Sequence, residues 1–456
     1  MSDARSVASI SEPSRVLVVL VCAMALFLNH SQLVAGLNLS FADPLMALVI
    51  LVVVSMRQLI VPVFVLVFFC AVAIISGATA LFVTPGVFGV SPGDASISEL
   101  VKMVVSLLYV ICGVNVARFG MHVRALRWYA LGASLVAFLS VVAEFGGRFL
   151  PESMYYAGIR FRGFMIDPNY WSIVAASALA FVLWDRRPRA WIRASMAFCL
   201  VTSVLLSGSK TGLITLAVLA VITLLQRATG SGRRTLVHLF LALAVIAAAL
   251  MWQWISAGIS SALEQNVSAF PQLGRISILL EDPVGAISDS GSARGDAWAS
   301  GLTMIGMSPW LGVGLGSYQA VNGALFGEAT VAHNTYIQIA AEWGLPLSFV
   351  FFGWLASLLI RATRINDTDA PGTAAVGNML IMLLMGSFSL SLNNARMFWL
   401  FLGMFIFLVI ERRRVPNLLD APMGFSRRTA WETPPATRGG ALPATSISGR
   451  ARRGET

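Results

Sequence analysis

Five cationic or titratable side chains stand in short polar junctions between apolar runs. Arg160 and Arg162 lie in GIRFRGFMIDPNYW, Lys210 in LLSGSKTGLI, Arg294 in SGSARGDAW and His333 in AHNTYIQIAAEWGLPL. A set of fixed cations suits an anion. Arginine suits a phosphate or diphosphate, because its planar fork holds two oxygens at once. Histidine adds a group that can gain or lose a proton near neutral pH. Each residue also has an ordinary structural use. Arg160 and Arg162 could reach lipid headgroups along their stems. Lys210 could close a helix end, Arg294 could pair with Asp296, and His333 could simply start a helix. Five together on one face of a membrane are harder to assign to such uses.

Other patterns carry less. SGSKTG lacks the glycine that a phosphate loop places before its lysine. Gly312, Gly314 and Gly316 read as close packing or a turn. The four cysteines, Cys22, Cys70, Cys112 and Cys199, lie in apolar runs without CxxC spacing, so neither a disulfide framework nor a zinc site is expected. No metal ligands cluster, and no cofactor is expected. If a helix begins at His333, Gly344 eleven residues on shares its face, whereas Glu342 lies on the opposite one. Lys102 falls deep in an apolar segment, where a charge is costly and therefore a functional candidate.

The elements that must position these residues follow from composition. Of 456 residues, 57% are hydrophobic and 12% charged, with a mean hydropathy of +0.78. An average soluble domain carries about 25% charged residues, so a soluble or disordered chain is excluded. Segments such as Gln58–Val83 and Thr235–Trp254 are continuously apolar rather than alternating, which excludes a transmembrane β-barrel. The expected fold is an all-α polytopic membrane protein of about twelve transmembrane helices, with a large periplasmic loop carrying surface helices. The expected spans are 16–36, 42–56, 58–82, 97–117, 125–145, 171–185, 191–208, 211–226, 235–255, 334–360, 374–391 and 396–411. Eighteen basic residues, counted through Arg414, fall in one alternating set of junctions and seven in the other. The positive-inside rule then makes both termini cytoplasmic, so the net charge of +10 points to membrane topology and not to nucleic acid. The chain divides into an N-terminus (1–15), spans one to nine (16–255), a periplasmic loop (256–333), spans ten to twelve (334–411) and a basic, disordered cytoplasmic tail (412–456).

Three segments resemble the O-antigen ligase and Wzy-type polymerase superfamily of bacterial membrane glycosyltransferases. They are RFRGFMIDPNYWS, then SGSKTG with Lys210 where the family commonly has arginine, and the run through ARGDAW, SPWLGVGLGSY and HNTYIQIAAEWGLP. The last holds the family's spacing as His333, Asn334 and Gly344. Three residues beyond Gly344, where ligases tend to have Gly or Thr, stands Leu347, which favours a polymerase slightly over a ligase.

The resemblance implies an inverting, metal-independent glycosyl transfer on the periplasmic side of the bacterial inner membrane. The donor would be an undecaprenyl-diphosphate-linked glycan, and the acceptor a glycolipid or a growing polysaccharide. Arg162 and Arg294, with Arg160 and Lys210, would bind the diphosphate. His333 would orient the acceptor hydroxyl or take its proton, and Asn334 and Gly344 would serve acceptor placement and helix packing. The bottom-up argument is compatible, because charge on a departing diphosphate calls for fixed cations. The competing class is a polysaccharide or lipid-linked glycan transporter or flippase. The chain shows neither the related halves common in transporters nor recurring ionisable pairs within its spans.

Overall fold

The computed structural model describes residues 13–34, 37–147, 149–229, 260, 267, 270–281, 294–365 and 370–410. These residues belong to one compact unit, Met1–Val415. The expected ninth span, 235–255, lies outside them, as does the tail 412–456.

Helices dominate, because the long apolar segments must satisfy their backbone groups internally in lipid. In chain order they are α1 (Arg15–Phe27), α2 (Ala42–Ser55), α3 (Val63–Ala78), α4 (Thr84–Phe88), α5 (Asp94–Arg118), α6 (His122–Phe145), α7 (Pro168–Trp184), α8 (Ala190–Leu206) and α9 (Lys210–Thr229). The second half continues with α10 (Gly274–Glu281), α11 (Arg294–Met307), α12 (Tyr318–Phe326), α13 (Thr335–Trp343), α14 (Leu345–Ala362), α15 (Thr373–Gly386) and α16 (Arg396–Val409). Among the described residues two short antiparallel hairpins interrupt them, β1 (Gln32–Val34) with β2 (Leu37–Leu39) and β3 (Tyr155–Tyr156) with β4 (Arg160–Phe161). By length and composition, four helices among the described residues can cross a membrane: Val63–Phe88, which joins α3 and α4 through a π-helical turn, α5, α6 and α14. Seven shorter apolar helices fall on further expected spans.

Two expected spans are corrected. The first helix ends at Phe27 and a hairpin follows, so 16–36 is not one helix. The segment 334–360 is broken at Gly344, whose φ of 78° and ψ of 162° no helix contains. The break separates α13 from α14, so His333 and Gly344 do not share a helix face. His333 does not open the helix either, because Asn334 is its N-cap.

The core is built on α5 and α16. A methyl on Gly113 would strike the Leu400 carbonyl and one on Gly403 the Val110 carbonyl, so the two backbones touch. Small residues permit this approach, and in lipid such packing replaces the hydrophobic drive. The glycine run behaves as packing. Gly312, Gly314 and Gly316 have φ values of 71°, 89° and 71°. A methyl on Gly312 would lie 2.5 Å from Ala341 O, and one on Gly316 would lie 2.7 Å from Ala95 O. The loop thus wedges the end of α13 against α3 and α5.

Candidate functional site

Arg160 joins two of the sequence motifs. The β3–β4 hairpin presents it to the turn between α8 and α9. There its Nε donates to Ser207 O at 2.8 Å and its Nη2 to Gly208 O at 3.5 Å and to Asn169 Oδ1 at 3.0 Å. Asn169 stands in the first turn of α7. Asp167 caps that helix by accepting from the Asn169 and Tyr170 amides at 2.7 and 3.3 Å, and Pro168 presets its first turn. The motif around DPNYW therefore starts a helix and aims an amide oxygen at a guanidinium. Arg162 donates to Ser153 O at 3.0 Å and Ile166 O at 2.9 Å, closing the loop that carries Arg160.

Lys210 is the first residue of α9. Ser209 caps the helix, its Oγ accepting from Gly212 N at 3.0 Å and from Ser172 Oγ at 2.9 Å. A lysine at a helix N-terminus opposes the macrodipole, so both the ammonium and the helix end favour an anion here. Gly212 lets α9 approach α7: a methyl on it would lie 2.6 Å from Ser172 Cβ. Gln272 adjoins the same turn, 3.3 Å from where a Gly208 Cβ would lie, and its Nε2 donates to Glu144 Oε1 at 3.4 Å.

His333 precedes α13 with a φ of 48°, one of three non-glycine residues in the left-handed region among the described residues. Histidine tolerates that region better than most residues, at a cost of order 1–2 kcal/mol. The surrounding bonds hold it there. Asn334 Oδ1 accepts from the Tyr336 and Ile337 amides at 3.0 and 3.1 Å. Thr335 is stitched to the linker between α15 and α16. Its amide donates to Ser387 O and Leu390 O, its Oγ1 donates to Leu390 O at 2.7 Å, and Leu392 N donates to Oγ1 at 2.8 Å.

That linker leads back to Arg160. It begins after Gly386, where a methyl would lie 2.7 Å from Ile173 Cγ1 on α7. One turn earlier on α7 stands Asn169, the Arg160 partner. The segments of Arg160, Lys210 and His333 thus form one continuous set of contacts at the same end of the bundle.

Arg294 starts α11, and its side chain lies outside the described residues. Its helix is placed against α13, where a methyl on Gly301 would strike Ile337, and against α12, whose Tyr318 Oη donates to Ala297 O at 2.7 Å. Burial, with the Glu342 carboxylate nearby, pushes the Tyr318 phenol up to about 12, so it stays a neutral donor. Glu342 holds the glycine loop, accepting from Gly316 N at 3.3 Å and from Gln338 Nε2 at 3.4 Å.

Two features were not read from the sequence. Thr335 follows the His-Asn pair but gave no signal, because its bonds are all tertiary. Arg396 is paired in place, with Nε 2.6 Å from Asp43 Oδ1 and Nη2 2.8 Å from Oδ2, and Tyr109 Oη donates to the same carboxylate at 2.8 Å.

A family model described as O-antigen ligase matches residues 195–352. The match runs from within α8 to within α14 and takes in Lys210, Arg294, His333, Asn334 and Gly344. It supports the resemblance read from the sequence: residues 195–352 form an O-antigen ligase-type region, which supports membership of that superfamily and a role in polysaccharide assembly at a membrane. No curated protein matches the chain.

Proposed function

We propose that this protein belongs to the O-antigen ligase superfamily and transfers a glycan from an undecaprenyl-diphosphate donor on the periplasmic side of the inner membrane. The observation that carries the reading is the continuous contact path from Arg160 and the Lys210 turn to the His333 segment. It puts anion-binding cations and a proton-accepting side chain on adjoining elements, most of them within the family-matched region.

The donor's diphosphate lies against Arg160, Arg162, Lys210 and Arg294. The acceptor hydroxyl attacks the anomeric carbon from the side opposite the diphosphate, so the configuration inverts. The new carbon–oxygen bond forms as the bond to the diphosphate breaks, and the departing diphosphate keeps the electron pair. Fixed cations stabilise that charge as it develops. His333 orients the hydroxyl and accepts its proton, a role typically worth about 10²–10⁴ in rate. Asn334 fixes the start of α13, and Gly344 permits the break that ends it. Twelve spans with both termini in the cytoplasm place these residues on the periplasmic side. Leu347 inclines the assignment to a polymerase, whose acceptor is another carrier-linked glycan.

The test is transfer by purified protein in vesicles supplied with carrier-linked glycan. Longer carrier-linked chains are the expected product. Transfer to a lipid A core would indicate a ligase. Movement of the donor across the bilayer without any new glycosidic bond would overturn the enzyme assignment in favour of a flippase.

A further inference from the structure

The proposed chemistry leaves Lys102 unused, although a cation in an apolar helix is costly. The structure gives it a partner. Lys102 Nζ lies 2.9 Å from Glu99 Oε2, one turn earlier on α5. Glu99 is buried, and its other oxygen accepts from Asn393 Nδ2 at 2.8 Å and from Asn394 Nδ2 at 2.9 Å. Both asparagines belong to the linker between α15 and α16. Trp399 Nε1 donates to Asn393 O at 2.7 Å and secures that end from below. The preceding residues of the linker hold Thr335 through Ser387, Leu390 and Leu392. Thr335 is two residues from His333.

We propose that Lys102 and Glu99 form a positioning pair, which fixes the α15–α16 linker and through it the placement of the His333 segment. The inference rests on the reading in which His333 serves the acceptor. The chemistry explains why a carboxylate stands at 99. One oxygen takes the ammonium and the other takes two amides, so three donors are met by one buried charge. Bonds to an ionised acceptor are about twice as strong as neutral ones. A glutamine at 99 has a single acceptor oxygen and would turn its own N–H donors towards Lys102 or the asparagines. A methionine at 102 would leave the buried carboxylate without its counter-charge, the costly way to break such a pair. Either change loosens the linker where Thr335 is tied, and a shift of about 1 Å at a reacting group can cost about 100-fold in rate.

The test combines turnover in the reconstituted transfer assay with hydrogen exchange of peptides spanning 333–338 and 387–395. Glu99→Gln and Lys102→Met should lower kcat about 10- to 100-fold, leave the donor KM within about twofold, and speed exchange in both peptides. Lys102→Arg should restore most of the turnover, because it keeps the charge. Asn394→Ala keeps the ion pair and removes one tie. It should give an intermediate loss, and it serves as the test if Glu99→Gln does not insert. Wild-type turnover in these variants, or faster exchange without a fall in kcat, overturns the positioning role. The two readings fail separately. A fully active His333→Ala removes the function assigned to His333. An inactive His333→Ala alongside fully active Glu99→Gln and Lys102→Met removes only the positioning pair.

Discussion

Replacing Gly301 with alanine tests whether the α11–α13 separation matters to the reaction. α11 carries Arg294 at its first position, α13 follows His333, and the two helices meet at Gly301. An added methyl there would run into Ile337 Cγ2 and lie 2.9 Å from Tyr318 Oη. Carbon atoms pack best at about 3.5–4.0 Å, so the helices must part by about 1 Å unless Ile337 turns away. A helical isoleucine has one strongly preferred rotamer, which opposes that escape. Overpacking costs about 1–3 kcal/mol, and alanine in place of glycine in a helix returns about 1 kcal/mol. The net loss of stability is then at most about 2 kcal/mol, and the variant should fold and insert. Turnover is more sensitive, because about 1 Å of misplacement can cost about 100-fold. Gly301→Ala, purified and assayed for glycan transfer in vesicles, should lose about that factor while its melting temperature falls only slightly. Ile337→Ala removes the obstructing methyl, so the double variant should regain much of the lost turnover. Wild-type turnover in Gly301→Ala would refute the claim that this helix spacing positions the reacting groups. A double variant as slow as the single one would refute the steric explanation.

The remaining predictions use the same assay unless stated. His333→Ala should fall by about 10²–10⁴ in turnover with donor binding kept. An active His333→Gln beside it would assign orientation rather than proton transfer, and wild-type turnover in both would make His333 structural. Arg294→Ala should abolish transfer and Arg294→Lys should retain little, because the planar fork matters as well as the charge. Lys210→Arg should be tolerated, since it keeps a cation at the start of α9; its inactivity would contradict a simple charge role. Single cysteines within 256–332 should react with a membrane-impermeant reagent from outside and those within 412–456 only after lysis, and outside labelling of the tail would reverse the orientation.

Part of this organisation was legible in the sequence, for physical reasons. Apolar runs must be helical in lipid, so length and hydropathy located the main helices. The break at Gly344 was missed because the composition stays apolar across it. Its signal was present in Gly-Leu-Pro: Pro346 falls in the first turn of α14, where proline is favoured, and glycine suits the end of the preceding helix. Lys102 stood out in the sequence but its pairing with Glu99 three residues earlier was not read, and the asparagine partners of Glu99 are nearly 300 positions away. Asp43 and Arg396 are 353 positions apart and gave no local hint of their pairing. Cations could therefore be counted from the sequence, but only the contacts sorted Arg396, neutralised in place, from those near the site.

The bonds of Arg160 to backbone carbonyls raise the question of whether it can still favour an anion. Ser207 and Gly208 follow the last residue of α8, so their carbonyls stand at the negative end of that helix. Left alone, those oxygens would repel a diphosphate approaching the turn. Arg160 satisfies both, and α9 begins two residues later with its positive end and Lys210. The guanidinium thus cancels the unfavourable helix end and leaves the favourable one exposed in electrostatic terms. On the proposed reading, its contribution would reach a diphosphate through the turn as well as through its own charge. This arrangement calls for arginine at 160, because lysine offers no planar fork to span the carbonyl after α8 and the Asn169 amide on α7 at once. The SGSK turn and the DPNYW helix start are thus joined by a single side chain from the hairpin that precedes α7, and the proposed anion site draws on both.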